Sequence, residues 1–450
     1  MPQPHSAGRA VSDPFTQRGD TRAMDPSARS FLFLQGPHGP FFHQLGALLR
    51  AAGCATWRAG FNAGDEAFWR HRESYLPCRA GAAAWPARCA ELMAEKGVTD
   101  LVLYGDSRPL HAAAVAEAAR RGVTVHVFEE GYLRPWWVTY ERGGANGNSR
   151  LMELSVAEMR RALAQCDLSV PDAPAHWGDM RQHVFYGAAY HGLVLLRNGR
   201  YRAYRPHRDR GVAAEFGLYL RRLLLMPAHA AGRAAATRRV RNGGFPYHLC
   251  LLQLAHDSSF TAHGPFASMA AFLETVIAGF AAGAPRHHHL VFKAHPLEDG
   301  RTPLRADLAR LARAHGVAGR VHFIRGGKLA ALLDHASSAV TVNSTAAQQA
   351  LWRGLPVKAF GRAVYAKPEF VSPQTAEAFF AAPRRPDTRA YRDFRTFLLE
   401  TSQIAGGFYS ARGRRQLLRQ VVDMMLAPHD PYEALARGTA APRRLLRAVP

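Results

Sequence analysis

Short runs of consecutive apolar residues alternate along this chain with stretches whose apolar positions recur every three to four residues. FLFLQGPHGPFF (31–42) is an apolar run entering a Gly/Pro loop, and HQLGALLRAAG after it carries helical periodicity. VTDLVLYGDSRP leads in the same way into HAAAVAEAARRG, and VTVHVFEEGYLRP opens the next unit. Strand, loop and helix in repetition indicate α/β construction, and strands written as continuous apolar runs predict a parallel sheet covered on both faces. SVAE at 155–158 predicts a capping box opening a helix to about Cys166. A second series begins near 243. FPYHLCLLQL reads as a strand, about 266–282 as a helix, HHLVFKAHP as a strand and PLRADLARLARAHG as a helix. VHFIRGG, LAALLDHAS, AVTVNS, TAAQQALWRG and LPVKAF continue the alternation.

Two such series within 450 residues, a length beyond that at which single cores stop growing, predict two Rossmann-like domains facing each other across a cleft between strand carboxyl ends. The expected division is a disordered polar tail over 1–30, a first domain over 31–240, a second over 242–400 and a helical segment over 401–450. The end of the first domain, 197–241, is a connecting region with twelve Arg against only Asp209 and Glu215. Its interleaved aromatic, Arg and Leu residues fit either a solvated linker face or a surface for phosphate groups or an anionic leaflet.

Charge narrows the partners. With 58 Lys plus Arg against 35 Asp plus Glu, the net charge of +23 points to an anionic partner, whether phosphate, membrane leaflet or nucleic acid. An Arg excess also arises from codon usage in GC-rich genomes, and only five of the cations are Lys, three of them within 293–358. The five cysteines show no CxxC pairing or framework, so reduced thiols of a cytosolic protein are expected, with no metal cluster. The first 30 residues lack an apolar signal core and no run of about 20 apolar residues exists, so a membrane is expected to be met only from its cytoplasmic surface.

Four polar strand ends carry the candidate chemistry. In VFKAHP, Lys293 and His295 close an apolar run and Pro296 fixes the turn that presents them, an arrangement suited to a phosphate at the carboxyl edge of a sheet. In QLAHDSS a strand ends in Asp257 followed by two Ser, which taken alone reads as a helix N-cap or Asx-turn. Asn343, Ser344 and Thr345 stand at a strand-to-helix junction, as caps or as a phosphate cradle. The segment 129–149 joins Glu129 and Glu130 to Gly131, Tyr132, Arg134, Trp136 and Trp137, and reads as a loop offering a carbohydrate- or carboxylate-binding surface.

EEGYLRP with GANGNS, YRPHR, QLAHDSS, KAHP and NSTAAQQALWRGLPV occur in the order and approximate spacing of the KpsS-type capsule polysaccharide proteins, which this chain resembles over about 31–380. KpsC-type chains usually carry EDGFLRS and two transferase modules, so EEGYLRP and one module favour the KpsS type. The resemblance implies a GT-B-like fold and a retaining β-Kdo glycosyltransferase that uses CMP-Kdo to begin an oligo-Kdo linker on lysophosphatidylglycerol at the inner membrane. It implies Asp257 as nucleophile and Glu130 or its neighbour Glu129 as general base, a choice that spacing leaves open. The donor would be held by His295, Lys293, Pro296, Asn343, Ser344, Thr345 and Gln253. The sugar carboxylate or acceptor would meet Arg134, Tyr132, Asn148, Arg205, His207 and Arg208. The donor has a single phosphate and the chain no DxD triplet, so neither metal nor other cofactor is expected. Implied partners are the donor, an anionic lipid acceptor, the cytoplasmic face of the inner membrane and a KpsC-type transferase with its export complex. The competing readings are another GT-B nucleotide-sugar enzyme, a UDP-sugar transferase or epimerase, and a non-catalytic basic scaffold or nucleic-acid binder, for which no RNP-like or zinc-finger pattern speaks.

Overall fold

The computed structural model describes residues 25–165, 180–204, 217, 225–298 and 300–440. Two sheets organise them. The first contains β1 (Ser30–Phe33), β2 (Ala55–Gly60), β3 (Tyr75–Pro77), β4 (Asp100–Tyr104), β5 (Thr124–Glu130), β6 (Trp137–Arg142) and, from the far end of the chain, β12 (Gln403–Ala405), in the order β12-β6-β5-β4-β1-β2-β3. Its helices are α1 (Phe41–Ala51), α2 (Ala63–Ala67), α3 (Trp85–Glu95), α4 (Pro109–Arg121), α5 (Val156–Leu163) and α6 (Met180–Arg197). The second sheet contains β7 (Tyr247–Leu251), β8 (His289–Lys293), β9 (Val321–Ile324), β10 (Ala336–Thr341) and β11 (Val357–Ala359), ordered β11-β10-β7-β8-β9 and wholly parallel. With it go α7 (Met226–Arg241), α8 (Ser258–His263), α9 (Met269–Gly283), α10 (Leu304–Ala314), α11 (Ala330–Leu333), α12 (Gln348–Trp352) and α13 (Ala376–Ala381).

Continuous apolar strands mean two covered faces, and β1 displays both. Phe31 and Phe33 pack with α1 on one side, while Leu32 and Leu34 pack with α3 and α4 on the other. Full burial of each such side chain contributes about 1.5–3 kcal/mol. The Ser155 hydroxyl accepts from Glu158 N–H and the Glu158 carboxylate accepts from Ser155 N–H, the capping box read from SVAE.

Three expectations are corrected. The segment 129–149 is not one loop, because WVTYER forms β6, buried throughout and antiparallel to both β5 and β12. The residues beyond 401 are not an appended helical segment. α14 (Thr388–Thr401) leads back to β12 in the first sheet, α15 (Ala411–Leu426) packs on α1, and α16 (Pro431–Ala436) packs on α5 and α14. Residues 25–30 belong to the fold, since Arg29 is buried against the Asp100 carboxylate and donates to Met425 O at 2.8 Å. Residues 1–24, 166–179, 205–216 and 218–224 of the Arg-rich connection, 299 and 441–450 lie outside the described residues.

Candidate active site

Both sheets reverse their strand order at a point where ligands collect in α/β folds: between β1 and β4 in the first, between β7 and β10 in the second. At the second reversal the Gln253 amide donates to Asn343 Oδ1 at 2.8 Å, and Asn343 N–H donates back to Gln253 Oε1 at 3.2 Å. The Asn343 amide then reaches Ser259 O at 2.7 Å. This pins the carboxyl ends of β7 and β10 together and holds the start of α8. Asp257 caps that helix, its Oδ1 accepting from Ser259 N–H at 3.0 Å, while its Oδ2 makes no hydrogen bond among the described residues.

On the other side of β7 stands β8, ending in Lys293. This ammonium is only 6% exposed, pairs with no carboxylate and makes no hydrogen bond among the described residues. Burial, together with the nearby Arg233 charge, pushes it down to about 8. A buried cation without a counterion is costly unless an anion arrives. One turn on, Leu297 N–H donates to His295 Nδ1 at 3.1 Å, which places the proton of the neutral ring on Nε2. Pro296 is exposed in the same turn.

At the first sheet, Glu129 and Glu130 end β5 on opposite faces. Glu129 shares its face with Arg108 and with Gly105, whose φ of +69° would strain any side chain and whose added Cβ would lie 3.0 Å from Glu129 Oε2. Glu130 N–H donates to Glu129 Oε1 at 3.1 Å. Burial raises the Glu129 carboxyl to about 7 against the pull of that hydrogen bond and of Arg108. Glu130 faces the α1 side, where the Tyr104 hydroxyl donates to it at 3.3 Å.

A seam joins the two halves. Tyr132, Trp137, Leu151 and Val156 share one core with Leu249, Val291, Ala350 and Phe394. Gln348 donates to Tyr132 O at 2.8 Å and the Lys367 ammonium to Leu151 O at 2.5 Å. The one-turn helix Asn146–Asn148 lies against α8: a Cβ on Gly147 would fall 2.4 Å from His263 Nδ1. Thus the loop that follows β6 touches the helix that Asp257 caps.

The predicted residues divide accordingly. Asp257, Lys293, His295, Ser344 and Thr345 stand at neighbouring strand ends of one sheet, and Ser344 caps its one-turn helix by accepting from Ala346 N–H at 3.3 Å. Gln253 and Asn343 spend their amides on each other and on Ser259, which makes them positioning groups rather than donor ligands. Tyr132 is likewise corrected: its ring is buried in the seam, and its hydroxyl donates to Glu141 at 2.7 Å while accepting from Asn146 N–H at 2.6 Å. Aromatic density there serves packing between domains. Arg134 is exposed and donates to Gly131 O, and Asn148 is exposed and donates to Asp106. Arg205, His207 and Arg208 lie outside the described residues. Sequence reasoning missed Asp106, whose buried Oδ2 accepts from Ala145 N–H at 2.9 Å and from the Asn148 amide at 3.2 Å, shaping the loop against α8. Its signal was the polar GDS closing β4.

The model of a family described as capsule polysaccharide biosynthesis protein matches residues 99–409. The chain is 29% identical to the capsule polysaccharide export protein KpsS of Escherichia coli over 87% of this chain and 100% of that one. It is 31% identical to the capsule polysaccharide modification protein LipB of Neisseria meningitidis serogroup B over 85% of this chain and 92% of that one. Among solved structures, the β-Kdo 2,7 transferase KpsC of Thermosulfurimonas dismutans aligns with 82% of this chain and 99% of its own at 12% identity and a TM-score of 0.36, a likeness too slight to transfer anything.

Proposed function

The chain belongs to the capsule polysaccharide biosynthesis protein family, and from that premise we propose that it is a retaining β-Kdo glycosyltransferase. In this reading it takes Kdo from CMP-β-Kdo and places it on a lysophosphatidylglycerol acceptor, starting the poly-Kdo linker of a capsular polysaccharide. The observation that carries the reading is Lys293, a buried ammonium with no counterion among the described residues at the carboxyl edge of a parallel sheet. The single phosphate of a cytidylyl donor supplies the missing charge.

The chemistry follows as two displacements. Asp257 Oδ2 attacks the anomeric carbon of Kdo, the bond to the phosphate oxygen breaks, and CMP departs with the electron pair. Lys293, the Nε2–H of His295 and the hydroxyls of Ser344 and Thr345 meet the charge that develops on it, each such donor contributing about 10²-fold in rate. Glu129 then takes the proton of the acceptor hydroxyl, whose oxygen displaces the Asp257 carboxylate and restores the original configuration. A base held near 7 by burial suits this step at neutral pH. Arg134, exposed beside Glu129, is assigned to the sugar carboxylate. No metal enters the scheme, because protein cations meet the charge of a monophosphate. The work is assigned to the cytoplasmic face of the inner membrane, beside a KpsC-type transferase and the export complex.

The test is to incubate pure protein with CMP-Kdo generated in situ and a lysophosphatidylglycerol analogue, and to read product mass. One added Kdo is expected, and CMP but not UDP raises the melting temperature. Stabilisation by UDP alone, or no product with the natural donor, overturns the reading.

A further inference from the structure

The largest concentration of exposed apolar surface on the described molecule is on α6. Of the eight large hydrophobic side chains that stand exposed, four belong to this one helix: Val184 (64%), Phe185 (65%), Leu195 (44%) and Leu196 (81%). With Ala188 they form a stripe at helical spacing that runs the length of the helix on the side away from the fold. The opposite face is already occupied. Tyr190 and Val194 are buried there, α6 packs on α2, and the Tyr190 hydroxyl donates to Asp65 at 3.1 Å and accepts from Asn62 at 2.8 Å. The outward stripe therefore has no role in holding the helix on its domain.

Charge selects the occupant. The 18 residues of α6 include no acid, and Arg181, Arg197, Arg200 and Arg202 bracket the stripe. Glu66 on α2 pairs with Arg72 and Arg200. An apolar face bordered by arginines is the pattern of a helix that lies in the plane of an anionic leaflet. No described helix is long and apolar enough to cross a membrane, so α6 would lie on the surface. We propose that α6 is the membrane-docking face of this protein, its Val184, Phe185, Leu195 and Leu196 entering an anionic phospholipid surface.

The position of α6 makes the docking productive for the acceptor proposed above, on which only this second step rests. His183, on the inner side, stacks on Tyr409 at 3.9 Å and 7°. Burial lowers His183 while the Glu130 carboxylate pulls the other way, and the same carboxylate pushes on Tyr409. His38, in the loop after β1, stacks on Tyr190 at 4.5 Å. α6 thus stands between the proposed lipid plane and the Glu130 carboxylate that ends β5. A lipid acceptor would present its head group beside α6 without leaving the bilayer.

The experiment is co-flotation of the full chain with phosphatidylglycerol-containing vesicles and with phosphatidylcholine vesicles, for wild type, Phe185→Ser/Leu196→Glu and Arg197→Ala. Wild type is expected on the anionic vesicles. The double variant is expected to lose at least about tenfold in bound fraction with an unchanged melting temperature, since both side chains are exposed. Arg197→Ala is expected to weaken binding more at low than at high salt. A double variant that floats like wild type overturns the proposal. So does a wild type that self-associates without vesicles and becomes monomeric on Leu196→Glu, which would assign the face to a second copy. Kdo transfer to a short water-soluble acceptor, run in parallel, separates the two readings. Leu196→Glu is expected to retain it, and its absence from wild type would remove the transferase while leaving the flotation result intact.

Discussion

Replacing Lys293 by Met should make the unliganded protein more stable and the donor-binding protein worse. The ammonium sits at about 8 in the fold against 10.5 for a free lysine, a gap that at about 1.36 kcal/mol per pH unit corresponds to roughly 3 kcal/mol held against folding at neutral pH. The sign follows from proton counting: the folded state releases its proton near 8, the unfolded state only near 10.5, so stability rises with pH across that window. Below it the cost is fully present, and above it the cost is gone. Lys293→Met removes the charge and keeps an apolar stem, so urea midpoints at pH 7 should give a gain of about 1–3 kcal/mol, with imperfect packing of the shorter chain taking the lower part of that range. The gain should shrink as pH rises through the window. With CMP at a hundred times its Kd, wild type gains about 2.7 kcal/mol. The variant, lacking one charge-assisted contact worth about 1.5–3 kcal/mol, should bind CMP about tenfold to a hundredfold more weakly. A variant that is less stable at pH 7, or one whose CMP response matches wild type, refutes the assignment of an anion site to Lys293.

Other tests are simpler. Asp257→Asn keeps the cap on α8, because Asn accepts from N–H groups as Asp does, yet has no nucleophilic carboxylate; Kdo transfer should be lost with the melting temperature unchanged, and substantial turnover would remove Asp257 from its role. The pH profile of kcat/KM should rise through about 7 as Glu129 loses its proton and fall above about 8 as Lys293 loses its own; the acid limb should vanish in Glu129→Gln along with most activity and survive in Glu130→Gln. His295→Ala should weaken CMP binding, as read by calorimetry, and unchanged affinity would count against a phosphate contact. Tyr132→Phe removes a donor from the buried Glu141 and an acceptor from Asn146 N–H, so it should cost about 1–3 kcal/mol by chemical denaturation while leaving CMP affinity alone.

Strand and helix order were legible in the chain because they depend on local patterning: VFK and VHVFEE are apolar on both faces, and SVAE closes its own capping box within one turn. Polar residues at strand ends were legible for the same reason, since topology puts every parallel strand end at one edge of the sheet. What local pattern could not contain was which neighbour each polar group would meet. Gln253 and Asn343 looked like ligands until the register of β7 against β10 set them face to face, and Tyr132 until β12 arrived from 270 residues away to complete the seam in which it is buried, with Gln403 accepting from Leu133 N–H. The chain offered Glu129 and Glu130 as equals; the pleat of β5 sent one towards Arg108 and a raised carboxyl near 7, the other towards Tyr104. Periodicity reports which face a residue is on, whereas burial, pairing and charge depend on what the rest of the chain brings against that face, and only the folded arrangement specifies that.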